Sequence, residues 1–344
     1  MPDLNIGRLP TGKGVALFFC AYNEEKSLPE KIKNIQALKE ICPEMEVFAY
    51  SDASTDATAS ILENASHLLE PVINQERLGK ATGMRKIVAM TDAEILIFTD
   101  ANVLLQPDSL PGLINYFSDP EIGCVAGTLV YGAMDSTTAK VGGWYWRLEE
   151  KIKYLETITG STMGADGSIF ARRKQKYPDV PPDLLDDMTT SISVIFDSLR
   201  CISAKDVIAY ENAISSSKEE FNRKKRISCR AFSTYLYLRD DLKKMSFLNR
   251  FKFISHKLIR WWGGLFILVG AFSLVLWGGT IGMALPIFSA LFVGALFVVF
   301  LGRMGVSGVS SIYEVLLAIF ATGLGVAESI RGRKYRTWET ANTR

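Results

Sequence analysis

The chain has 344 residues, with 39 Lys and Arg against 37 Asp and Glu, and 48% of its residues are hydrophobic. A formal net charge of only +2 argues against nucleic acid as a partner, because nucleic-acid-binding domains carry a strong basic excess. The length accommodates one large domain and a smaller second unit.

The cysteine and histidine content excludes several kinds of site. The chain contains five cysteines without metal-ligand spacing: Cys20, Cys42, Cys124, Cys201 and Cys229. We expect them to be reduced core residues in a cytosolic environment. His67 and His256 are too far apart for a histidine metal site or a Ser/His/Asp triad, so both are predicted to be structural or surface groups. Met1 to Gly14 contains no apolar h-region, so no signal peptide is expected.

Three short apolar runs each end in a polar cluster. The first ends in Ala21-Tyr22-Asn23-Glu24-Glu25 and the second in Ser51-Asp52-Ala53-Ser54-Thr55-Asp56. The third, Glu94 to Phe98, ends in Thr99-Asp100-Ala101-Asn102. The runs are predicted to be buried strands, and in open α/β sheets ligands bind beyond the carboxyl ends of such strands. A strand-ending turn rich in Asp and Asn remains the alternative interpretation of Asp100.

Helical patterns follow the predicted strands. After the first strand, Ser27 and Glu30 have the spacing of a capping box, and Pro29 suits a first helical turn. Ile32, Ile35 and Leu38 then recur at helical spacing. Alternating strands and helices predict an α/β domain with a mainly parallel sheet and crossover helices.

In their order and spacing, these motifs resemble a family 2 glycosyltransferase with the GT-A fold, a nucleotide-sugar-binding α/β domain. The resemblance extends from roughly Gly14 to Arg260. It includes the loop pair Gly79-Lys80, Gly164-Ala165-Asp166-Gly167 followed by Ala171-Arg172-Arg173, and Leu185-Asp186-Asp187. It implies that these residues contact the donor: Ala21, Tyr22, Glu24, Asp52, Lys80, Asp100, Asp166 and Arg226. Asp52 would contact the nucleotide base, and Asp187 would be the catalytic general base, supported by Asp186.

The resemblance also implies a divalent cation, Mg²⁺ or Mn²⁺, at Asp100 and Asn102. Asn102 stands where the family has a second Asp, and its amide offers a carbonyl oxygen without a charge. Asp100 is therefore expected to be the principal protein ligand, and an Asp at position 102 should bind the metal more tightly. The metal, Arg226 and Arg223 would neutralise the leaving diphosphate. In-line attack assisted by one base implies inversion at the anomeric carbon.

Each of these charged residues also has a structural interpretation. Asp186 and Asp187 fit the amino terminus of a helix beginning near Met188, where carboxylates are favoured. Lys80 fits the start of a helix over Ala81 to Met90. The basic run Arg223 to Arg226 fits a solvated helix face or one that contacts lipid headgroups.

One departure from the family bears on processivity. Processive members that build cellulose or hyaluronan carry Gln-x-x-Arg-Trp, whereas the aligned residues here are Arg223-Lys224-Lys225-Arg226-Ile227. Ile cannot replace the aromatic platform on which an acceptor chain stacks. The sequence therefore predicts transfer of one sugar per encounter.

The composition changes at Trp261. Residues 261–302 contain no formally charged side chain, which is enough for two membrane spans, with a break at Gly278-Gly279-Thr280 and an early kink at Pro286. Lys218 to Arg260 carries thirteen Lys or Arg against four acids, which places the preceding domain in the cytosol. Phe247, Phe251, Ile254 and Leu258 recur at helical spacing among basic residues. They predict an amphipathic helix at the membrane surface, the alternative being a helix packed on the catalytic domain.

A third apolar stretch, Val306 to Ala327, leaves the topology open. If it spans, the basic residues Arg331 to Arg336 lie outside, against the positive-inside rule; if it lies in the interface, they stay cytosolic. The predicted organisation is a cytosolic GT-A domain at 1–245, an interfacial helix at 246–260, a membrane region at 261–330 with two or three helices, and a basic tail at 331–344.

Together these features predict an inverting, metal-dependent glycosyltransferase at the inner (plasma) membrane, facing the cytoplasm. Its expected partners are a UDP-sugar donor, a lipid-linked or nascent glycan acceptor in surface polysaccharide synthesis, and membrane lipids. A polyprenyl-phosphate monosaccharide transferase is the close alternative. An inactive nucleotide-binding scaffold subunit is the alternative of another class.

Overall fold

The computed structural model describes residues 14–132, 137–212, 216–306 and 308–338, with residues 137–145 described through their backbone alone. Residues 1–13 and 339–344, the outermost parts of the predicted first domain and basic tail, lie outside the described residues. The strands are β1 Val15–Ala21, β2 Glu46–Asp52, β3 Glu70–Asn74, β4 Ile95–Asp100, β5 Leu104–Leu105, β6 Ile122–Tyr131, β7 Ile169–Arg173 and β8 Arg200–Glu211. The helices are α1 Leu28–Ile41, α2 Thr58–Asn64, α3 Lys80–Val88, α4 Ser109–Asn115, α5 Thr137–Ile158, α6 Asp186–Phe196, α7 Ser217–Leu242, α8 Phe247–Phe253, α9 Ile259–Trp261, α10 Gly263–Thr280, α11 Ala284–Arg303 and α12 Val309–Ile330.

The strands form one mixed sheet in the order β3-β2-β1-β4-β7-β6-β8-β5. The first four are parallel neighbours, and β7 runs antiparallel to both β4 and β6. All seven residues of β1 are buried, as expected for a strand covered on both faces. The α/β prediction is therefore confirmed, and the carboxyl ends of β1, β2 and β4 meet at one edge of the sheet.

Hydrogen bonds join the loops that follow β1 and β2. The Asn23 N–H donates to Ser54 Oγ at 3.2 Å, and the Thr55 N–H donates to Asn23 Oδ1 at 2.8 Å. The predicted capping box is wrong: Ser27 has a helical backbone and makes no side-chain cap, whereas a capping serine needs a non-helical one. Its hydroxyl instead donates to Glu24 Oε2 at 2.8 Å, which stiffens the first loop.

Residues 247–261 form one helical rod, in which a π-helical stretch, Ile254–Leu258, connects α8 to α9. Its polar side faces α5. Lys252 Nζ donates to the backbone carbonyl of Glu156 at 2.8 Å. The ring nitrogens of buried His256 lie 2.9 Å from carboxylate oxygens of Glu156 and Glu149. His256 is thus structural, as predicted.

The apolar side of this rod points outward, because Phe247, Phe251 and Ile254 are exposed. On α5, Leu155 and Ile158 are exposed as well. The rod therefore packs on α5 through polar residues and on α7 through buried Phe253 and Trp261, and it leaves an apolar surface of Phe247, Phe251 and Ile254 exposed. Such a surface is typical of a contact with lipid or another protein.

Three helices, α10, α11 and α12, are long and apolar enough to cross a membrane. The break between the first two falls at residues 281–283, next to the predicted Gly278-Gly279-Thr280. Pro286, where an early kink was expected, is the third residue of α11 and lies in its first turn. Prolines fit a first helical turn because the amide hydrogen they lack has no partner there.

The third apolar helix, α12, packs lengthwise on α7, which carries the basic run 223–226. Ser217 Oγ donates to Glu314 Oε1 near the start of α7, and Ser233 Oγ lies 2.7 Å from Ser329 Oγ four turns later. Between them, a side chain at Gly325 would collide with the Lys225 carbonyl. The residue at this position must therefore be glycine if the two helices are to touch.

Candidate functional site

Three carboxylates and one lysine meet at the carboxyl edge of the sheet. Lys80, the first residue of α3, places Nζ 2.6 Å from Asp100 Oδ1 and 3.9 Å from Asp186 Oδ2. Asp187 lies beside them: a Cβ at Gly167 would be 3.1 Å from both Asp187 Oδ2 and Lys80 Nζ. The end of β4 and the amino terminus of α6 thus bring predicted site residues from three separate motifs into one cluster, which we call the Lys80 cluster (Lys80, Asp100, Asp186 and Asp187).

The charges of this cluster shift its pKa values. Burial raises the pKa of Asp187 to about 6, and the neighbouring Asp186 adds to this, while Lys80 opposes it. Burial lowers the pKa of Lys80, but Asp100, Asp186 and Asp187 outweigh it and keep the pKa above its usual value. A carboxylate that titrates near pH 6 is well matched to proton abstraction near neutral pH.

Helix α7 holds the segment that carries the two adjacent aspartates. Arg230 donates to the Leu184 carbonyl and lies 3.9 Å from Asp186 Oδ1. The Leu185 N–H donates to Thr234 Oγ1 at 2.9 Å. Helix α6 begins at Asp186, two residues before the predicted start at Met188. Arg226, predicted to contact the donor, is half-buried one turn before Arg230.

A second group of predicted residues lies at the ends of β1 and β2. The Asp52 side chain is fully buried and accepts hydrogen bonds from the Leu78 N–H at 2.8 Å and the Gly79 N–H at 3.1 Å. Its other neighbour is Arg77, whose Nε is 3.7 Å away. The Arg77 guanidinium lies over the Tyr22 ring, with Cζ 3.3 Å from the ring centroid. Asp52 and Tyr22 thus flank one residue, Arg77, that sequence reasoning did not single out.

The remaining predicted residues are tied into the framework. Ala21, the last residue of β1, and Glu24, in the loop that follows, are buried. Asp166 Oδ2 accepts from Lys153 Nζ at 3.1 Å, so a lysine of α5 balances its charge. Asp166 also accepts from the hydroxyl of Ser168.

Asn102 is fixed by an acidic partner. Its Nδ2 donates to Glu211 Oε1 at 2.9 Å. Because a carboxylate only accepts hydrogen bonds, the side-chain nitrogen of Asn102 must face Glu211. The side-chain oxygen of Asn102 therefore faces away from Glu211. Arg223 lies nearby: Glu220, Glu211 and Asp100 raise its pKa above the usual value, although burial lowers it.

The metal ligands predicted from the sequence do not form a closed cation site by themselves. Within the described ranges, no three Asp, Glu, His or Cys side chains come together in a group that could hold a metal. Asp100 and Asn102 provide hard oxygen donors of the kind that Mg²⁺ and Mn²⁺ prefer. Mg²⁺ is commonly bound by one or two carboxylates plus substrate phosphates, and the donor set at this edge fits that pattern.

A buried lysine supports the turn after β4. Lys31, fully buried on α1, donates through Nζ to Thr99 Oγ1 at 3.3 Å and to the Val103 carbonyl at 2.5 Å. Burial lowers its pKa to about 7, while Asp100 acts in the opposite direction. Sequence reasoning missed Lys31 because it looks like an ordinary charged residue on an amphipathic helix. Arg230 could have been found from its spacing of four residues after Arg226.

Comparisons with known proteins find a family model and curated relatives that match part of this chain. Residues 17–180 match the model of Glycosyl transferase family 2. A poly-beta-1,6-N-acetyl-D-glucosamine synthase of Staphylococcus aureus is 26% identical over 199 residues, covering 56% of this chain and 47% of that protein. An undecaprenyl-phosphate 4-deoxy-4-formamido-L-arabinose transferase of Proteus mirabilis is 26% identical over 174 residues, covering 48% and 50%. The chain thus spans about half the length of the curated relatives it matches.

A solved structure extends the likeness beyond the matched domain. The mannosyltransferase PcManGT from Pyrobaculum calidifontis, in complex with GDP-Man and Mn²⁺, superimposes with a TM-score of 0.67 at 20% identity. The match covers 96% of this chain and 90% of that one, so the fold likeness includes the apolar helices. Residues 17–180 are therefore a glycosyl transferase family 2 domain with the GT-A fold. The described chain continues into three helices, each of which is long enough and apolar enough to cross a membrane.

Proposed function

We propose that the protein is a membrane-anchored, inverting glycosyltransferase that moves one sugar from a nucleoside diphosphate donor to a lipid-linked acceptor. The observation that carries this proposal is the Lys80 cluster. It places a buried carboxylate, Asp187, whose pKa is raised to about 6, next to the lysine and the aspartate that would face a diphosphate. The same edge thus offers a base for the acceptor and positive charge for the leaving group.

The donor would lie along this edge, with its base at Tyr22 and Asp52 and its diphosphate at Lys80, Arg223 and Arg226. A divalent ion held by Asp100 and Asn102 would neutralise charge on the departing diphosphate. Asp166 and its partner Lys153 border the same site. Lys80 would move from Asp100 toward the phosphate oxygens, because an ammonium binds phosphate as readily as carboxylate.

Asp187 would remove the proton from the acceptor hydroxyl or phosphate. With one base on the face opposite the leaving group, attack is in line and the anomeric configuration inverts. Asp186 would support this step by keeping the pKa of Asp187 raised, and Arg230 holds Asp186 from α7. An inactive scaffold would have no need for a buried carboxylate pair at this point, because burying two like charges costs stability.

A lipid-linked acceptor fits the surroundings of the base. Helix α7 contacts the Asp186 segment on one side and α12 on the other. The exposed apolar side of the 247–261 rod would rest in the membrane interface on the cytoplasmic side, as the interfacial-helix prediction requires. The undecaprenyl-phosphate transferase similarity supports a polyprenyl phosphate as the acceptor to test first.

The contacts of α12 favour one solution to the topology. A helix packed for four turns on α7 and its basic run 223–226 cannot also cross the hydrocarbon core, where such charges are costly. We therefore propose that α10 and α11 form a spanning hairpin and that α12 lies at the interface. The basic residues after Ile330 then stay on the side of the catalytic domain, in agreement with the positive-inside rule. In this arrangement the tail belongs structurally to the domain at 1–245.

Turnover of a donor panel tests the proposed activity. Purified full-length protein should release UDP from a UDP-sugar, or GDP from GDP-mannose, faster when undecaprenyl phosphate is present than when it is absent. The measurement is nucleotide release with Mn²⁺ across UDP- and GDP-sugars. Absence of release from every donor, in protein that stays folded and bound to nucleotide, would favour the scaffold alternative.

A further inference from the structure

The segment after α12 returns to the sheet domain and crosses the donor edge. Lys334 Nζ lies 2.7 Å from Asp183 Oδ2, three residues before Asp186. The Tyr335 hydroxyl donates to Glu328 Oε2 at 2.7 Å, which fixes the turn out of α12. At its far end, the Trp338 ring meets the Tyr22 ring edge to face, with centroids 6.2 Å apart. We call residues 331–338 the strap.

The strap is seated on the backbone of the loop that leads into α3. Gly79 has a φ of 87°, in the left-handed region, and a Cβ there would collide with the Arg336 carbonyl. The Trp338 carbonyl accepts a hydrogen bond from Arg77 Nη2. Only a glycine at position 79 allows this close crossing, so the loop and the strap are shaped to fit each other.

Arg77 is the residue that the strap holds. Its guanidinium lies over the Tyr22 ring, with Cζ 3.3 Å from that centroid, and 5.8 Å from the centroid of the Trp338 ring. Its Nε points toward Asp52 at 3.7 Å. A planar cation stacked on an aromatic ring and facing a carboxylate occupies the kind of space that a nucleotide base would take.

The position of Arg77 conflicts with the donor binding described under the proposed function. The inference made here rests on that proposed function. A base stacked on Tyr22 and bonded to Asp52 requires both groups to be accessible. Here Arg77 covers the Tyr22 ring, and the Asp52 side chain is fully buried. Arg77 and the base therefore compete for one place, and the strap favours Arg77.

We propose that the strap, through Trp338 and Lys334, holds Arg77 in the base subsite, so that a nucleotide donor binds only when the strap is released. Releasing the strap by mutation should therefore strengthen nucleotide binding. The apparent affinity of a site that is open for only a fraction of the time falls by that fraction. Removing a contact that favours the closed state raises the open fraction and the apparent affinity together.

Nucleotide affinity in strap variants tests the proposal. Isothermal titration calorimetry with UDP and with GDP, each in the presence of Mn²⁺, would be run on detergent-purified full-length protein. Trp338→Ala and Lys334→Asp should each lower the dissociation constant about threefold to tenfold, as expected for loss of one cation–π or ionic contact. Lys334→Arg keeps the ion pair with Asp183 and should match the wild type. Arg331→Ala changes an exposed basic residue at the start of the strap and should also leave the affinity unchanged.

The possible outcomes separate this inference from the proposed function. Equal affinity in wild type and Trp338→Ala would overturn the strap, and weaker binding in Trp338→Ala would instead make Trp338 part of the base subsite. Failure of wild type and every variant to bind either nucleotide would overturn the donor site and the strap together.

Hydrogen exchange provides a second, independent measurement of strap opening. UDP or GDP should speed amide exchange in residues 333–338 if the strap opens, whereas slower exchange would contradict the proposal.

Discussion

Replacing Asp187 by Asn should lower the turnover number by at least about 10²-fold, the low end of general-base contributions, while leaving nucleotide affinity nearly unchanged. The substitution keeps the size of the side chain but removes its charge and its ability to accept a proton. Steady-state kinetics with a saturating lipid acceptor would measure the first effect and calorimetry with UDP or GDP the second. Wild-type turnover in this variant would exclude Asp187 as the base.

The pH profile provides a control within the same site. Because the pKa of Asp187 is raised to about 6, its basic form exists above that pH, and kcat/KM should fall as the pH drops through 6. The Asp187→Asn variant should lack this limb. Asp186→Asn removes a negative charge that raises the pKa of Asp187, so its limb should move to lower pH. An unchanged limb in both variants would assign the titration to another group.

Removal of divalent cations should abolish transfer, and added Mn²⁺ or Mg²⁺ should restore it. Asp100→Ala should reduce activity by about 10²-fold or more, since metal stabilisation of developing charge amounts to several kcal/mol. Asp92→Ala is a matched control, because Asp92 is an exposed aspartate just before the same strand. Full activity after exhaustive chelation would show that Asp100 acts without a metal.

The contact of Asn102 with Glu211 changes what an aspartate at position 102 should do. The sequence alone predicts tighter metal binding in Asn102→Asp. In the structure, that substitution would set a carboxylate against Glu211 Oε1, where Asn102 now donates at 2.9 Å. We therefore expect the single variant to lose activity and the pair Asn102→Asp with Glu211→Gln to regain it. Metal titration of both variants would compare the affinity gained from the added carboxylate ligand with the affinity lost through its repulsion from Glu211.

The sheet and its functional edge could be predicted because local signals and tertiary structure agree there. β1 and β4 are buried on both faces and read as continuous apolar runs that end in polar motifs. The capping box at Ser27 failed because the Ser27 backbone is helical and its N–H, which a capping box would offer to Glu30, donates to the Glu24 carbonyl at 3.0 Å. This loop conformation depends on contacts between distant residues, such as the hydrogen bond from the Asn23 N–H to Ser54 Oγ.

The parts of the site that escaped prediction depend on contacts between distant segments. Arg77 and Trp338 are separated by 261 residues, and nothing in their local sequence indicates that they meet. Lys31 approaches the turn after β4 only because α1 packs under that turn. Whether α12 spans the membrane could not be predicted for the same reason. Its hydropathy fits a membrane span, but its packing on α7 depends on contacts of Gly325 and Ser329 with distant residues.

The number and configuration of sugars added to one acceptor distinguish single inverting transfer from polymerisation and from retention. Purified protein would be incubated with excess donor, Mn²⁺ and a labelled polyprenyl-phosphate acceptor, and the product analysed by mass spectrometry and NMR. Because Ile227 stands where processive members of the family carry an aromatic platform, we expect a single added sugar with an inverted anomeric carbon. A ladder of many added sugars, or a product that retains the donor's configuration, would contradict it.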